Sequence, residues 1–105
     1  MTWLRVLNAV LELCDGRGRL VAHTEKPWWS ATFNGVRHEL LLSFEGEEAT
    51  LIGEALIAEL PGIEFSLPGQ IVVEARVEWA RRQTDPQRLD CQLMLLLLDE
   101  ERAAA

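Results

Sequence analysis

The chain has 105 residues, of which 49% are hydrophobic and 26% charged, and its formal net charge at pH 7 is −7. This length suits one hydrophobic core, and the acidic balance disfavours nucleic acid and anionic membranes as partners. No apolar stretch reaches the length of a transmembrane helix, and the N-terminus lacks the pattern of a signal peptide. We therefore expect one cytoplasmic, bacterial-type domain spanning residues 1–105.

Residues 3–14 carry two competing patterns. Arg5, Asn8 and Glu12 recur at helical spacing, which indicates an amphipathic helix. The intervening Leu and Val residues also suit a strand, and the turn-forming segment 15–18 leads to a second apolar run. We predict a strand and a hairpin here, with a helix as the alternative.

The strongest local signal is the Asn34-Gly35 pair between two alternating runs, because a type I′ turn needs positive φ at both central residues. A two-residue turn at this point would pair Trp29 with Leu40. One face of the hairpin is then apolar and is expected to join the core: Trp29, Ala31, Phe33, Val36, His38, Leu40, Leu42 and Phe44.

Residues 47–60 form the predicted helix. Apolar residues recur at intervals of three and four, carboxylates occupy the first turn, and Pro61-Gly62 ends the pattern. Gly53 lies on the apolar stripe, although glycine lowers helix propensity. We therefore expect the helix to approach the sheet closely at this residue.

Alternating patterns predict strands at residues 63–67 and 70–82, and a last strand over residues 88–99. Arg82 opposite Arg88 would pair Val77 with Leu93, and residues 100–105 are expected to be disordered. One face of the strand over residues 70–82 is expected in the core: Ile71, Val73, Ala75, Val77 and Trp79.

These elements together predict an α+β fold. An antiparallel sheet of about five or six strands, connected mostly by hairpins, should pack against one central helix at residues 47–60. The two cysteines, Cys14 and Cys91, match no metal or redox spacing and are expected to be buried thiols.

Few residues suggest chemistry. His38 faces the core side and is a candidate general base, although a histidine there is more often a structural residue. His23, in the polar segment before the Trp28-Trp29 pair, and Trp28 are candidate ligand contacts. The chain has no nucleophile motif, phosphate-binding loop, dinucleotide fingerprint or metal-ligand spacing, so no catalytic residue, metal or cofactor is predicted.

The outer sheet face should be polar if a helix covers the other face, yet apolar residues occur there. We predict an interface between copies of the chain, as in a two-fold dimer, unless residues 3–13 cover this face. The residues of this predicted interface are Trp28, Leu41, Val72, Met94, Leu96 and Leu98.

Three functional hypotheses follow. The first is a non-catalytic, homo-oligomeric assembly or protein-binding module that acts through the outer face. The second is a small enzyme or small-molecule binder with a pocket between helix and sheet near His38. The third is a phage-derived or virion-like structural component.

Overall fold

The computed structural model describes the backbone of residues 2–99 and the side chains of residues 4–99. The predicted disordered tail, residues 100–105, lies outside this part. The elements in chain order are helix α1 (Thr2–Leu13), strands β1 (Arg19–Trp29) and β2 (Asn34–Glu45), helix α2 (Glu47–Glu59), and strands β3 (Gln70–Thr84) and β4 (Gln87–Asp99). The α+β class and the antiparallel sheet are confirmed.

The sheet has four strands in the order β1-β2-β4-β3, and every neighbouring pair is antiparallel. The expected five or six strands, with one helix, are therefore wrong for the described residues. Two predicted strands account for the difference. Residues 3–13 belong to α1, and residues 63–67 form no strand, although a single bridge joins Leu67 to Gln70.

Helix α1 shows why the strand prediction fails for residues 3–14. Val6, Val10 and Cys14 are fully buried, whereas Asn8 and Glu12 are exposed. All five have even numbers, so a strand would place the polar pair on the buried face. A helix separates them, because residues four apart share a face and residues two apart do not.

Both helices contribute to a single core on one face of the sheet. Helix α2 approaches the sheet closely at Gly53, where an added Cβ would lie 2.7 Å from side-chain atoms of Phe44 and Leu89. The expected close contact at Gly53 is confirmed. The buried apolar residues of this core are Val6, Val10, Cys14, Leu40, Leu42, Phe44, Ala49, Leu56, Leu60, Leu67, Leu89, Cys91, Leu93, Leu95 and Leu97.

The β1–β2 turn lies earlier than predicted. Trp29 pairs with Asn34, and the Ser30 backbone N–H donates to the Phe33 carbonyl at 2.8 Å. The Ser30 hydroxyl also accepts a hydrogen bond from the Phe33 N–H at 3.2 Å, a local bond that favours a turn. Gly35 is therefore a strand residue, and the predicted turn at Asn34-Gly35 is wrong.

Two bulges change the faces of β3. The predicted pairing of Val77 with Leu93 is confirmed, but bulges follow Val72 and Val77. Trp79 consequently pairs with Gln92 and is exposed, although it was expected in the core. A bulge inserts one extra residue, which moves the next side chain to the opposite face.

The molecule is elongated, with extents of 52 × 23 × 20 Å and a Cα radius of gyration of 14.5 Å, compared with about 13 Å for a compact chain of this size. Every residue from 24 to 33 is exposed, and we call this segment the hairpin tip. Trp29 is 69% exposed, so its predicted place in the core, and that of Phe33, are wrong.

Candidate functional site

The outer face is the side of the sheet opposite α1 and α2. Strand pairing aligns one residue from each strand in a row across this face: Trp28, Gly35, Leu98 and Ile71. Ile71 is 45% exposed, and Val73 and Trp28 are also exposed. We call Trp28, Leu98, Ile71 and Val73 the outer apolar row. It lies at the end of the sheet from which the hairpin tip projects.

Charged side chains occupy the middle of the outer face. Arg37 Nη2 lies 3.1 Å from Glu39 Oε1 and 3.1 Å from Glu78 Oε2. Because β4 separates β2 from β3, the Arg37–Glu78 pair spans β4. Met94 of β4 pairs with Glu39 on one side and is only 2% exposed, so the expectation of an exposed Met94 is wrong. Long charged side chains can shield an apolar neighbour in this way.

The structure divides the six predicted interface residues. Five of them lie on the outer face by register, and four of these five keep some exposed surface: Trp28, Leu41, Leu96 and Leu98. Met94 is also on this face but is buried, and Val72 lies on the helix side, where it packs against the core. Ile71 and Val73 were expected in the core, but both are exposed. The bulge after Val72 leaves Ile71 opposite Leu98 on the outer face, and Val73 is the extra residue of this bulge.

A second feature lies on the helix side of the β1–β2 hairpin. His23 and Glu25 are two residues apart on β1, and Glu25 pairs with His38 of β2. His23 Nε2 is 3.1 Å from His38 Nδ1, and Glu25 Oε2 is 3.7 Å from the same atom. One nitrogen or oxygen from each residue lies within 4.8 Å of the others. The structure therefore brings together the two candidate histidines and adds Glu25, and we call these three residues the histidine cluster.

His38 is the buried member of the histidine cluster. Its side chain is inaccessible to solvent, and its Nε2 atom has no hydrogen-bond partner among the described residues. Burial and the neighbouring His23 lower the pKa of His38, whereas Glu25 opposes this effect. The ring is therefore neutral at neutral pH, and its polar contacts lie on the Nδ1 side.

One hypothesis placed a pocket near His38, and the four surface pockets described for the molecule lie elsewhere. Two of these pockets border α1, and the other two border the β3–β4 turn or the start of β4. None of the four is lined by His23, Glu25 or His38. His38 lies in a cluster of side chains between β1 and β2.

No protein-family model matches the sequence, and no curated protein gives a significant match. Among solved structures, the chain is similar to one in a structure described as "Virion of native gene transfer agent (GTA) particle". The TM-score is 0.56, and the match covers 93% of this chain and 90% of that chain. The two sequences are 13% identical, so the likeness shows a shared fold. In residues 2–99, no helix is long and apolar enough to cross a membrane.

Proposed function

We propose that this chain is a structural subunit of a virion-like particle and that it associates with copies of itself through the outer face. The observation that carries the proposal is the outer apolar row, in which Trp28, Ile71 and Val73 are exposed on a sheet face that no described element covers. The likeness to a chain of a virion supports a role in a particle, since it extends over nearly the whole length of both chains.

The size of the outer face fits an interface between subunits. Strands of 11 to 15 residues are about 40 Å long, and four adjacent strands span about 19 Å. The face therefore offers roughly 700–800 Å², and a standard interface buries about 800 Å² on each partner. The β-strand faces of two copies would meet this requirement without any change in the fold.

The charge balance of the outer face favours a second copy of the chain as the partner that covers it. The middle of the outer face carries three basic side chains by register: Lys26, Arg37 and Arg76. It also carries three acidic ones, Glu39 and Glu74 by register and Glu78 through its contact with Arg37. This region is thus neutral, although the whole chain carries −7. Two copies can approach through it without the repulsion that the acidic remainder of the surface would produce.

The hairpin tip extends the proposed interface. Aromatic surface is exposed where the sheet extends beyond the helices, on Trp28, Trp29 and Phe33. Exposed aromatic clusters mark protein contact sites more often than isolated exposed leucines do. In a particle, a tip of this kind would contact a neighbouring subunit, while α1 and α2 keep the core of its own subunit closed.

The test compares two glutamate substitutions at exposed apolar residues. Ile71→Glu places a charge in the outer apolar row, and Leu51→Glu places one on α2, where the leucine is 65% exposed. Size-exclusion chromatography with light scattering should show a wild-type mass above the 11.9 kDa of one chain. Ile71→Glu should give a folded monomer, and Leu51→Glu should behave like the wild type.

Two results would contradict the proposal. One is a wild-type mass of one chain across the micromolar range. The other is equal association by the Ile71→Glu and wild-type proteins, which would show that the interface lies elsewhere. Circular dichroism of each variant separates a lost interface from a lost fold.

A further inference from the structure

We propose that His23, Glu25 and His38 form a binding site for a divalent transition-metal ion of the Zn²⁺ type, which links β1 to β2 at the base of the hairpin tip. This inference is independent of the proposed assembly, since the residues lie on the helix side of the sheet and outside the outer face.

Strand geometry explains how the three side chains meet. Residues two apart on a strand share a face, so His23 and Glu25 point the same way. His38 lies directly opposite Glu25 on β2 and is diagonal to His23. Cross-strand and diagonal neighbours are within reach of long side chains, and the hairpin therefore presents all three to one point.

The distances suit a tetrahedral ion. Zinc ligands at about 2.0–2.2 Å from the metal lie about 3.3–3.6 Å from one another at tetrahedral angles. The two separations measured to His38 Nδ1 are 3.1 Å from His23 Nε2 and 3.7 Å from Glu25 Oε2. Small side-chain adjustments would place an ion among these atoms, with no change in the backbone.

The donor set selects the class of ion. Two imidazole nitrogens and one carboxylate oxygen suit Zn²⁺ and its neighbours in the first transition row, whereas Ca²⁺ and Mg²⁺ prefer oxygen ligands. Metal binding requires a neutral imidazole with a free lone pair. With an ion bound, the ring proton of each histidine would lie on the nitrogen that faces away from the metal.

Three protein ligands leave a fourth position. The Glu25 side chain is 51% exposed, so the open side of the site faces solvent, and water would fill it. The ion would join two strands at the point where the hairpin begins to project beyond the core. Its predicted effect is therefore to hold these two strands together. The bound ion should stabilise the tip-proximal part of the hairpin.

The experiment uses the full chain without an affinity tag, after treatment with a chelator. Calorimetry with Zn²⁺ should give one ion per chain, and Co²⁺ should give the visible absorption of a tetrahedral complex. At free Zn²⁺ about 100 times its dissociation constant, the melting temperature should rise by about 10 °C.

Variants at the two solvent-accessible ligands test the assignment. His23→Gln and Glu25→Gln should each weaken Zn²⁺ binding by at least about tenfold. Glu64→Gln, at an exposed glutamate outside the cluster, should bind like the wild type. Absence of Zn²⁺ binding by the wild type would overturn the site, and so would unchanged affinity in either ligand variant. Circular dichroism without metal confirms that each variant is folded.

Discussion

Arg37 on β2 reaches across β4 to Glu78 on β3, with 3.1 Å between Nη2 and Oε2. The same guanidinium contacts Glu39, and Gln92 of β4 donates to Glu78 at 3.4 Å. This network lies over the strand that holds Met94, and Met94 is consequently buried on a face that no helix covers. The outer face is therefore apolar mainly at its tip-proximal end, and we place the apolar centre of the contact between copies there.

Gly35 tests the pairing of β2 with β4. An added Cβ would lie 2.0 Å from the Leu97 carbonyl oxygen. Gly35→Ala should therefore lower the free energy of unfolding by about 1–3 kcal/mol. The control is Gly62→Ala, because nothing lies within 4 Å of a Cβ there. Urea denaturation measures both, and a Gly35→Ala protein as stable as the wild type would show that β2 and β4 do not pair as described.

Gly53 tests the contact between α2 and the sheet. Alanine favours a helix over glycine by about 1 kcal/mol, so propensity alone predicts a more stable Gly53→Ala protein. The contacts at 2.7 Å with Phe44 and Leu89 predict the opposite, a loss of about 1–2 kcal/mol. Ala55→Gly, at an exposed position of α2, measures the propensity alone. A gain in stability for Gly53→Ala would mean that α2 lies farther from the sheet.

The Glu54–Arg82 pair predicts a pH-dependent contribution to stability. Arg82 Nη2 donates to Glu54 Oε1 at 2.6 Å, and this hydrogen bond lowers the pKa of Glu54. A carboxyl with a lowered folded-state pKa stabilises the protein above its unfolded pKa, about 4.3, and loses this effect as pH falls through the folded value. Both side chains are largely exposed, so the effect is small.

Thermal unfolding of Glu54→Gln across pH measures this contribution. The variant should melt below the wild type at pH 7, and the two melting temperatures should converge in acid. A difference that persists after Glu54 is protonated would mean that the pair stabilises the fold by packing, since its charge would then be absent.

The cysteines provide a test of the core. Burial raises the pKa of Cys14 to about 11 and that of Cys91 to about 12. Because the thiolate is the reactive form, both residues should resist alkylation in the native protein at pH 8. Both should react rapidly in urea, and mass spectrometry would count the modified thiols. Rapid reaction of Cys14 without denaturant would show that α1 does not remain packed on the sheet.

The sequence predicts which face of the sheet a side chain occupies better than it predicts which residues pair across strands. The two hairpins show why. In the β1–β2 hairpin the predicted register differs from the observed one by six residues, yet Val36, Leu40 and Phe44 lie on the expected face. An even shift preserves faces, because side chains alternate with a period of two. In β3 the bulge after Val77 produces a shift of one, and Trp79 moves to the opposite face. Bulges have no reliable signature in a single sequence.

The histidine cluster shows how far the sequence alone can predict a site. His38 was recognised from its place on the apolar face, and His23 from its polar neighbours in the sequence. Only the register that pairs Glu25 with His38 brings the cluster together, whereas the predicted turn at Asn34-Gly35 would pair His38 with Ala31. The useful signal was the spacing of His23 and Glu25 two residues apart, which requires that this segment be a strand.

The contact between copies through the outer face is tested most directly by hydroxyl-radical footprinting of the wild-type chain. The chain is labelled at low and at high micromolar concentration, and mass spectrometry identifies the modified residues. Ile71, Val73 and Trp28 should become protected at the high concentration, because a second copy covers the outer apolar row. Leu51 on α2 should be modified equally at both concentrations. Modification of Ile71 that, like that of Leu51, does not change with concentration would contradict the proposed contact, since the outer face would then remain open to solvent.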